Sequence, residues 1–251
     1  VHQHIREAAV KKLTLLIIVL LLVVGGLPAR AQSDAEIRLR ILNLSPEATS
    51  ISVIPSAASG QLDQIDLAAP APAVSPYYAL PADVNGLGVT ILRGSGMSAG
   101  GFTATFVAGH SYLLVVYQGE DGTERVLVDE SAPFGGANSP ALQGLAPLLL
   151  IHAVPAVGAV YRLQSAAGQV VALTLAPDPD SFSDDLPFAG VGLTASDYTL
   201  TISAADSGAP VREGLALALP ENQPSVLILA GSSLDAAQLY ALVGETVTPL
   251  N

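Results

Sequence analysis

A stretch near the start of the chain returns about 110 residues later, and this repetition limits the fold more than any other feature. Arg40-Ile41-Leu42-Asn43-Leu44-Ser45-Pro46 matches Leu149-Leu150-Ile151-His152-Ala153-Val154-Pro155 at an offset of 109. Val89-Thr90-Ile91 falls on Leu200-Thr201-Ile202 at 111, and residues 112–119 fall on 224–231 at 112. A near-constant offset across three apolar segments indicates duplication of a unit the size of one Ig-like sandwich, about 100 residues.

The segments themselves read as strands. Ile37, Leu39 and Ile41 alternate with Arg38 and Arg40; Tyr198, Leu200 and Ile202 alternate with Thr199, Thr201 and Ser203; Phe102, Ala104 and Phe106 alternate with Thr103 and Thr105. Such period-2 alternation predicts half-buried strands. The unbroken apolar runs at 112–117, 148–151 and 226–229 predict strands with little solvent on either face. Asn85-Gly86, Asp121-Gly122 and Ser207-Gly208 punctuate them as turns. The expected fold is all-β, two tandem Ig-like antiparallel β-sandwiches, with one larger sandwich or barrel as the alternative. Expected boundaries are 36–131 for the first copy, 132–146 for a Gly/Pro-rich linker and 147–248 for the second copy.

Residues 1–31 read differently. Arg6, Lys11 and Lys12 precede an uncharged apolar run at 13–27, and Pro28-Ala29-Arg30-Ala31 follows. A basic start, an apolar run shorter than a membrane-spanning helix and the small residues Ala29 and Ala31 predict a secretory signal peptide cleaved after Ala31. The expected location is extracellular or periplasmic, the alternative being a tether through an uncleaved signal. The remaining chain carries six Arg, no Lys and 21 acidic residues. So acidic a body repels nucleic acid and predicts no such partner. Absent Cys excludes disulfides, thiol catalysis and Cys-ligated metals. No transmembrane segment is expected in the exported part.

The segments Arg38-x-Arg40-x-x-Asn43-x-Ser45-Pro46-Glu47-Ala48, Tyr77-x-x-Leu80-Pro81-Ala82, Phe106-x-Ala108-Gly109-x-x-Tyr112 running into Val115-Val116, and Leu127-Val128-Asp129 resemble the bacterial domain-of-unknown-function family 4397. The resemblance implies exported Ig-like domains, often in tandem, without established catalytic residues. The second copy keeps His152-Ala153 and Pro155, replaces the Ser and lacks the acidic residue after Pro. Neither copy has the family's Asp-Ala-Pro…Val-Asp-Val continuation.

Few residues suggest chemistry. Gly96-Met97-Ser98-Ala99-Gly100 fits the G-x-S-x-G nucleophile pattern, but a strand is expected after it where the hydrolase needs a helix, so residues 94–101 read as an inter-strand loop. His110 and His152 are the only histidines after the signal segment. His152 occupies the place of Asn43, which suggests a hydrogen-bonding pin at a strand end, and His110 reads as a turn residue. Asp178, Asp180, Asp184 and Asp185 lie within eight residues and form the place to look for calcium, though the EF-hand's turn Gly and distal Glu are missing. Tyr77-Tyr78 is a candidate platform for a sugar or peptide. The function expected is a non-enzymatic exported binding or structural module for a cell-envelope or extracellular protein or glycan, with no cofactor except calcium. The rival is an exported serine hydrolase using Ser98 with His110 or His152, or a calcium-dependent enzyme.

Overall fold

The computed structural model describes residues 36–94, 96–103, 105–119, 122–135, 142–155, 157–176 and 188–250. The first half supplies β1 (Ile37–Asn43), β2 (Ala48–Ala57), β3 (Gly60–Gln61), β4 (Ile65–Leu67), β5 (Ala73–Val74), β6 (Tyr78–Leu80), β7 (Val84–Arg93), β8 (Gly96–Thr103), β9 (Ser111–Gly119) and β10 (Gly122–Asp129). These make one sheet in the order β10-β9-β1, with β5 and β6 both on the far edge of β1, and a second in the order β2-β7-β8, with β3 and β4 on β2.

The second half supplies β11 (Ala146–Ala153), β12 (Ala159–Ser165), β13 (Val170–Leu175), β14 (Phe188–Leu193), β15 (Ser196–Ala204), β16 (Pro210–Leu219), β17 (Ser225–Ala230), β18 (Gln238–Val243) and β19 (Thr246–Leu250). They form sheets β14-β11-β17-β18-β19 and β13-β12-β15-β16. The fold is all-β, and among the described residues none of the sheets closes into a barrel. No helix among the described residues is long and apolar enough to cross a membrane.

Two of the sheets are mixed, where antiparallel ones were expected, and the other two are antiparallel throughout. β1 runs parallel to β9, and β11 runs parallel to β17, each over six residue pairs. Parallel neighbours need a long crossover connection. Here the intervening chain builds the opposite sheet and also lays short strands along one edge of the opening strand, β5 and β6 on β1 and β14 on β11, before returning along its other edge in both halves.

Alternation sorts the side chains into three apolar layers. Ile37, Leu39 and Ile41 of β1 and Tyr112, Leu114 and Val116 of β9 pack against Ile51, Val53, Leu87, Val89 and Ile91 inside the first half. Leu148, Leu150, Leu227 and Leu229 pack against Tyr161, Leu163, Leu200 and Ile202 inside the second. The third layer joins the halves. Leu113, Val115 and Tyr117 of β9 and Val126 and Val128 of β10 meet Leu149, Ile151, Val226, Ile228 and Leu242. This explains the unbroken apolar runs: even-numbered positions fill one layer and odd-numbered positions another, so both faces of β9, β11 and β17 leave water. Residues 35–251 thereby form one compact unit of four stacked sheets.

Two local expectations are corrected. Residues 96–101 do not form a loop, since β8 pairs with β7 from Arg93↔Gly96 to Gly86↔Thr103. Its glycines suit a strand where other groups approach closely. A Cβ on Gly101 would lie 2.7 Å from the Leu87 carbonyl oxygen, and one on Gly100 would collide with the Arg125 guanidinium. Phe106 lies outside β8, which ends at Thr103, and packs edge-on against Tyr112 at 4.9 Å.

The pin expected at His152 is present in both halves. Asn43 Nδ2 donates to the Ala48 carbonyl at 3.0 Å, and His152 Nε2 lies 2.8 Å from the Val157 carbonyl, each reaching five residues ahead. A carbonyl can only accept, so His152 carries its proton on Nε2, and its Nδ1 accepts from the Tyr161 hydroxyl at 3.0 Å. Both pins are fully buried. His152→Leu should therefore destabilise the protein by about 1–3 kcal/mol, because the Tyr161 hydroxyl and Val157 carbonyl lose a buried partner. Urea denaturation of the variant measures this, and an unchanged midpoint would show that the two groups find other partners.

Candidate functional site

The two halves leave a cleft along one rim of their shared layer, and it takes its chemistry from β1. Arg38 and Arg40 share a face with Leu42, which lies in that layer, so the alternation that buries Ile37, Leu39 and Ile41 inside the first half aims both arginines toward the second. Arg40 is only 3% exposed, against the expectation that β1 is half-buried.

Arg40 is held on three sides. Its Nε donates to Glu130 Oε2 at 3.1 Å, its Nη2 pairs with Glu130 Oε1, and its Nη1 donates to the Gly244 carbonyl at 2.7 Å. The forked pair with one carboxylate is the strong, geometrically specific form of arginine contact. Gly244 belongs to the second half, where the turn from β18 to β19 uses its left-handed φ of +59°, readily available only to glycine. This hydrogen bond ties β1 to the second half.

Glu130 is placed by the chain reversal that follows β10. Its amide donates to the Ser111 carbonyl at 2.8 Å, while Asp129 Oδ1 accepts from the amides of Ser131 and Ala132 at 2.9 Å each. The other Asp129 oxygen lies 2.7 Å from His110 Nδ1. The Ser111 amide donates to Ser131 Oγ at 2.9 Å. The turn is thus fastened by side chains on both flanks.

Tyr77 closes the cluster. It precedes β6, beside β1, with the Arg40 guanidinium carbon 4.7 Å and that of Arg38 5.9 Å from its ring centroid. Its hydroxyl donates to Glu130 Oε2 at 2.9 Å. Burial of the phenol, reinforced by the Glu130 carboxylate, pushes its pKa well above the ordinary tyrosine value. The residue is still 38% exposed. Arg38, Arg40, Tyr77, Ser111, Glu130, Ser131 and Gln223 are the polar lining of the cleft, and Phe134, Leu142, Pro147 and Pro224 the apolar lining. Its volume is about 360 Å³, within the range of small-molecule sites.

The tyrosine pair expected to act together is divided. Tyr77 faces the cleft, whereas Tyr78 packs against the core of the first half, because successive residues of an extended segment point to opposite sides. Ser98 sits on β8 and makes no side-chain hydrogen bond among the described residues. His152 is sealed in the second half, and the His110 ring pairs with Asp129. The structure therefore brings Ser98 together with neither histidine. Asp178, Asp180, Asp184 and Asp185, like Ala29 and Ala31, lie outside the described residues. Among the described residues no group of three His, Asp or Glu side chains is placed to hold a metal.

Sequence reading did not single out Arg38, Arg40, Glu130 or Gly244 as site residues. The available signal was Ile37-Arg38-Leu39-Arg40-Ile41, two arginines alternating along a strand whose other face is wholly apolar.

No protein-family model and no curated protein matches the chain. Among solved structures, the chain is similar to a "putative adhesin" from Bacteroides ovatus at 14% identity and a TM-score of 0.25, over 86% of this chain and 96% of that one. It is also similar to a "putative cell adhesion protein" from Bacteroides eggerthii at 6% identity and a TM-score of 0.23, over 86% and 97% of the two chains. TM-scores this low define no common fold.

Proposed function

We propose that this chain is a non-enzymatic binding module, exported by its N-terminal segment to the envelope or extracellular space, and that it holds its ligand in the cleft between its halves. The observation that carries this reading is Tyr77, left partly exposed at a cleft in which Arg40 and Glu130 already satisfy each other. An aromatic face backed by a fixed charge pair offers area without loss of side-chain freedom on binding. The preference for binding over chemistry draws on the lining, which has hydrogen-bonding groups and apolar surface but no histidine. The likeness of the first half to the family 4397 pattern supports the same reading, since that family brings no catalytic residues.

Co-sedimentation of the purified protein with isolated cell envelopes of the source organism tests the proposal. Saturable binding should weaken at least about tenfold in Tyr77→Ala, the loss of one well-placed aromatic contact. Tyr77→Phe should keep most of the binding, and Tyr78→Ala should lower stability without a specific loss of affinity. Equal affinity of Tyr77→Ala and the parent would remove the cleft from the function. An ester-hydrolysing activity abolished by Ser98→Ala would replace the binding reading with the hydrolase.

A further inference from the structure

We propose that the cleft recognises a small monocarboxylate with an apolar body, taken by Arg38; this rests on the reading of the cleft as the ligand site. Charge balance points there first. Arg40 and Glu130 cancel as a buried pair, and Tyr77 donates to the same carboxylate, which leaves Arg38 as the net charge of the cleft wall. The chain as a whole carries −12, so a positive cleft stands out against an acidic background and attracts anions by contrast.

The second observation is the state of that arginine. Its guanidinium makes no hydrogen bond or ion pair among the described residues and rests 5.9 Å from the Tyr77 ring centroid. Stacking on a ring restrains the side chain while its N–H donors stay open, so less freedom is lost when a carboxylate arrives. Ser131 adds a donor. Its Oγ accepts from the Ser111 amide, and its own proton is left to give.

The rest of the lining fixes the body of the ligand. Phe134, Leu142, Pro147 and Pro224 offer apolar surface and Gln223 one neutral amide, so an uncharged, largely apolar body gains from burial there. One guanidinium without an ion-pair partner among the described residues faces the cleft, and a single carboxylate matches that single charge where a polyanion would keep charge unpaired.

Calorimetric titration of the purified protein with 3-phenylpropionate, its neutral amide and inorganic phosphate tests this. The carboxylate should bind at least about tenfold more tightly than the amide or phosphate. Arg38→Gln should weaken it by about 10- to 100-fold, as expected for a lost charge-assisted hydrogen bond, with an unchanged melting temperature because Arg38 is exposed. Arg38→Lys should keep part of the affinity through its charge. Equal binding of acid and amide, both lost in Tyr77→Ala, would overturn the carboxylate while leaving the cleft as the ligand site. Absence of carboxylate binding, or carboxylate binding indifferent to Arg38, would also overturn the inference, and the envelope experiment judges the cleft separately.

Discussion

Glu130→Ala is expected to lower stability by about 3–5 kcal/mol, whereas the double variant Arg40→Met with Glu130→Leu should stay within about 1–2 kcal/mol of the parent. The difference follows from what each change leaves behind. Removing the carboxylate alone strands a guanidinium whose side chain is 4% exposed, and it deprives the Tyr77 hydroxyl of its acceptor. Replacing both partners by apolar groups of similar volume removes the desolvation penalty together with the attraction, so the two terms largely cancel. The costs that remain are the lost hydrogen bond to the Gly244 carbonyl and the lost acceptor of the Tyr77 hydroxyl. Midpoints of urea denaturation for the three proteins measure the contrast. If Glu130→Ala cost less than about 1 kcal/mol, Arg40 would be escaping to water, and the joint between the halves would be looser than its geometry implies.

Leu113→Ala should cost about 2–5 kcal/mol and should destabilise both halves at once. Leu113 is fully buried in the layer that the first half shares with Leu149, Ile151 and Ile228 of the second. A cavity there removes contacts from two sheets that belong to different halves, and a close-packed interior relaxes only partially around it. Leu163→Ala, in the second half's own core, provides the comparison. Amide exchange separates the outcomes. If the four sheets unfold as one unit, both variants accelerate exchange in β2 and β7 as much as in β12 and β15. Faster exchange confined to the altered half would show that the halves unfold independently.

Strand identity was legible because alternation is a local signal. Tyr198, Leu200 and Ile202 turn inward and Thr199 and Thr201 outward, as their pattern predicted. The runs at 112–117, 148–151 and 226–229 were read as covered on both faces, and they are. The same local logic failed at residues 94–101. Glycine and serine carry no alternation, so composition suggested a loop, while pairing of residues 96–103 with β7 holds the segment extended. Pairing of that kind depends on the partner strand, which the segment's own residues do not encode.

Tyr77 could be suspected from sequence because an aromatic residue among turn residues invites a binding role. Arg38 and Arg40 looked alike there, as two polar positions on a half-buried strand. Their roles diverged only on folding. Arg40 came to lie against Gly244, which is 204 residues away, and found Glu130, which is 90 residues away, while Arg38 stayed at the rim.

By itself, then, the sequence determined the strand periodicity, the duplication, the apolar content of each face and the buried pins at Asn43 and His152, since these rest on residue type and spacing within a few positions. Only the tertiary structure decided that the halves meet across a common apolar layer, that β1 and β9 run parallel, and which arginine is neutralised. Those outcomes depend on contacts between residues far apart in the chain, where burial energy is non-directional and the partner is selected by the packing of whole sheets.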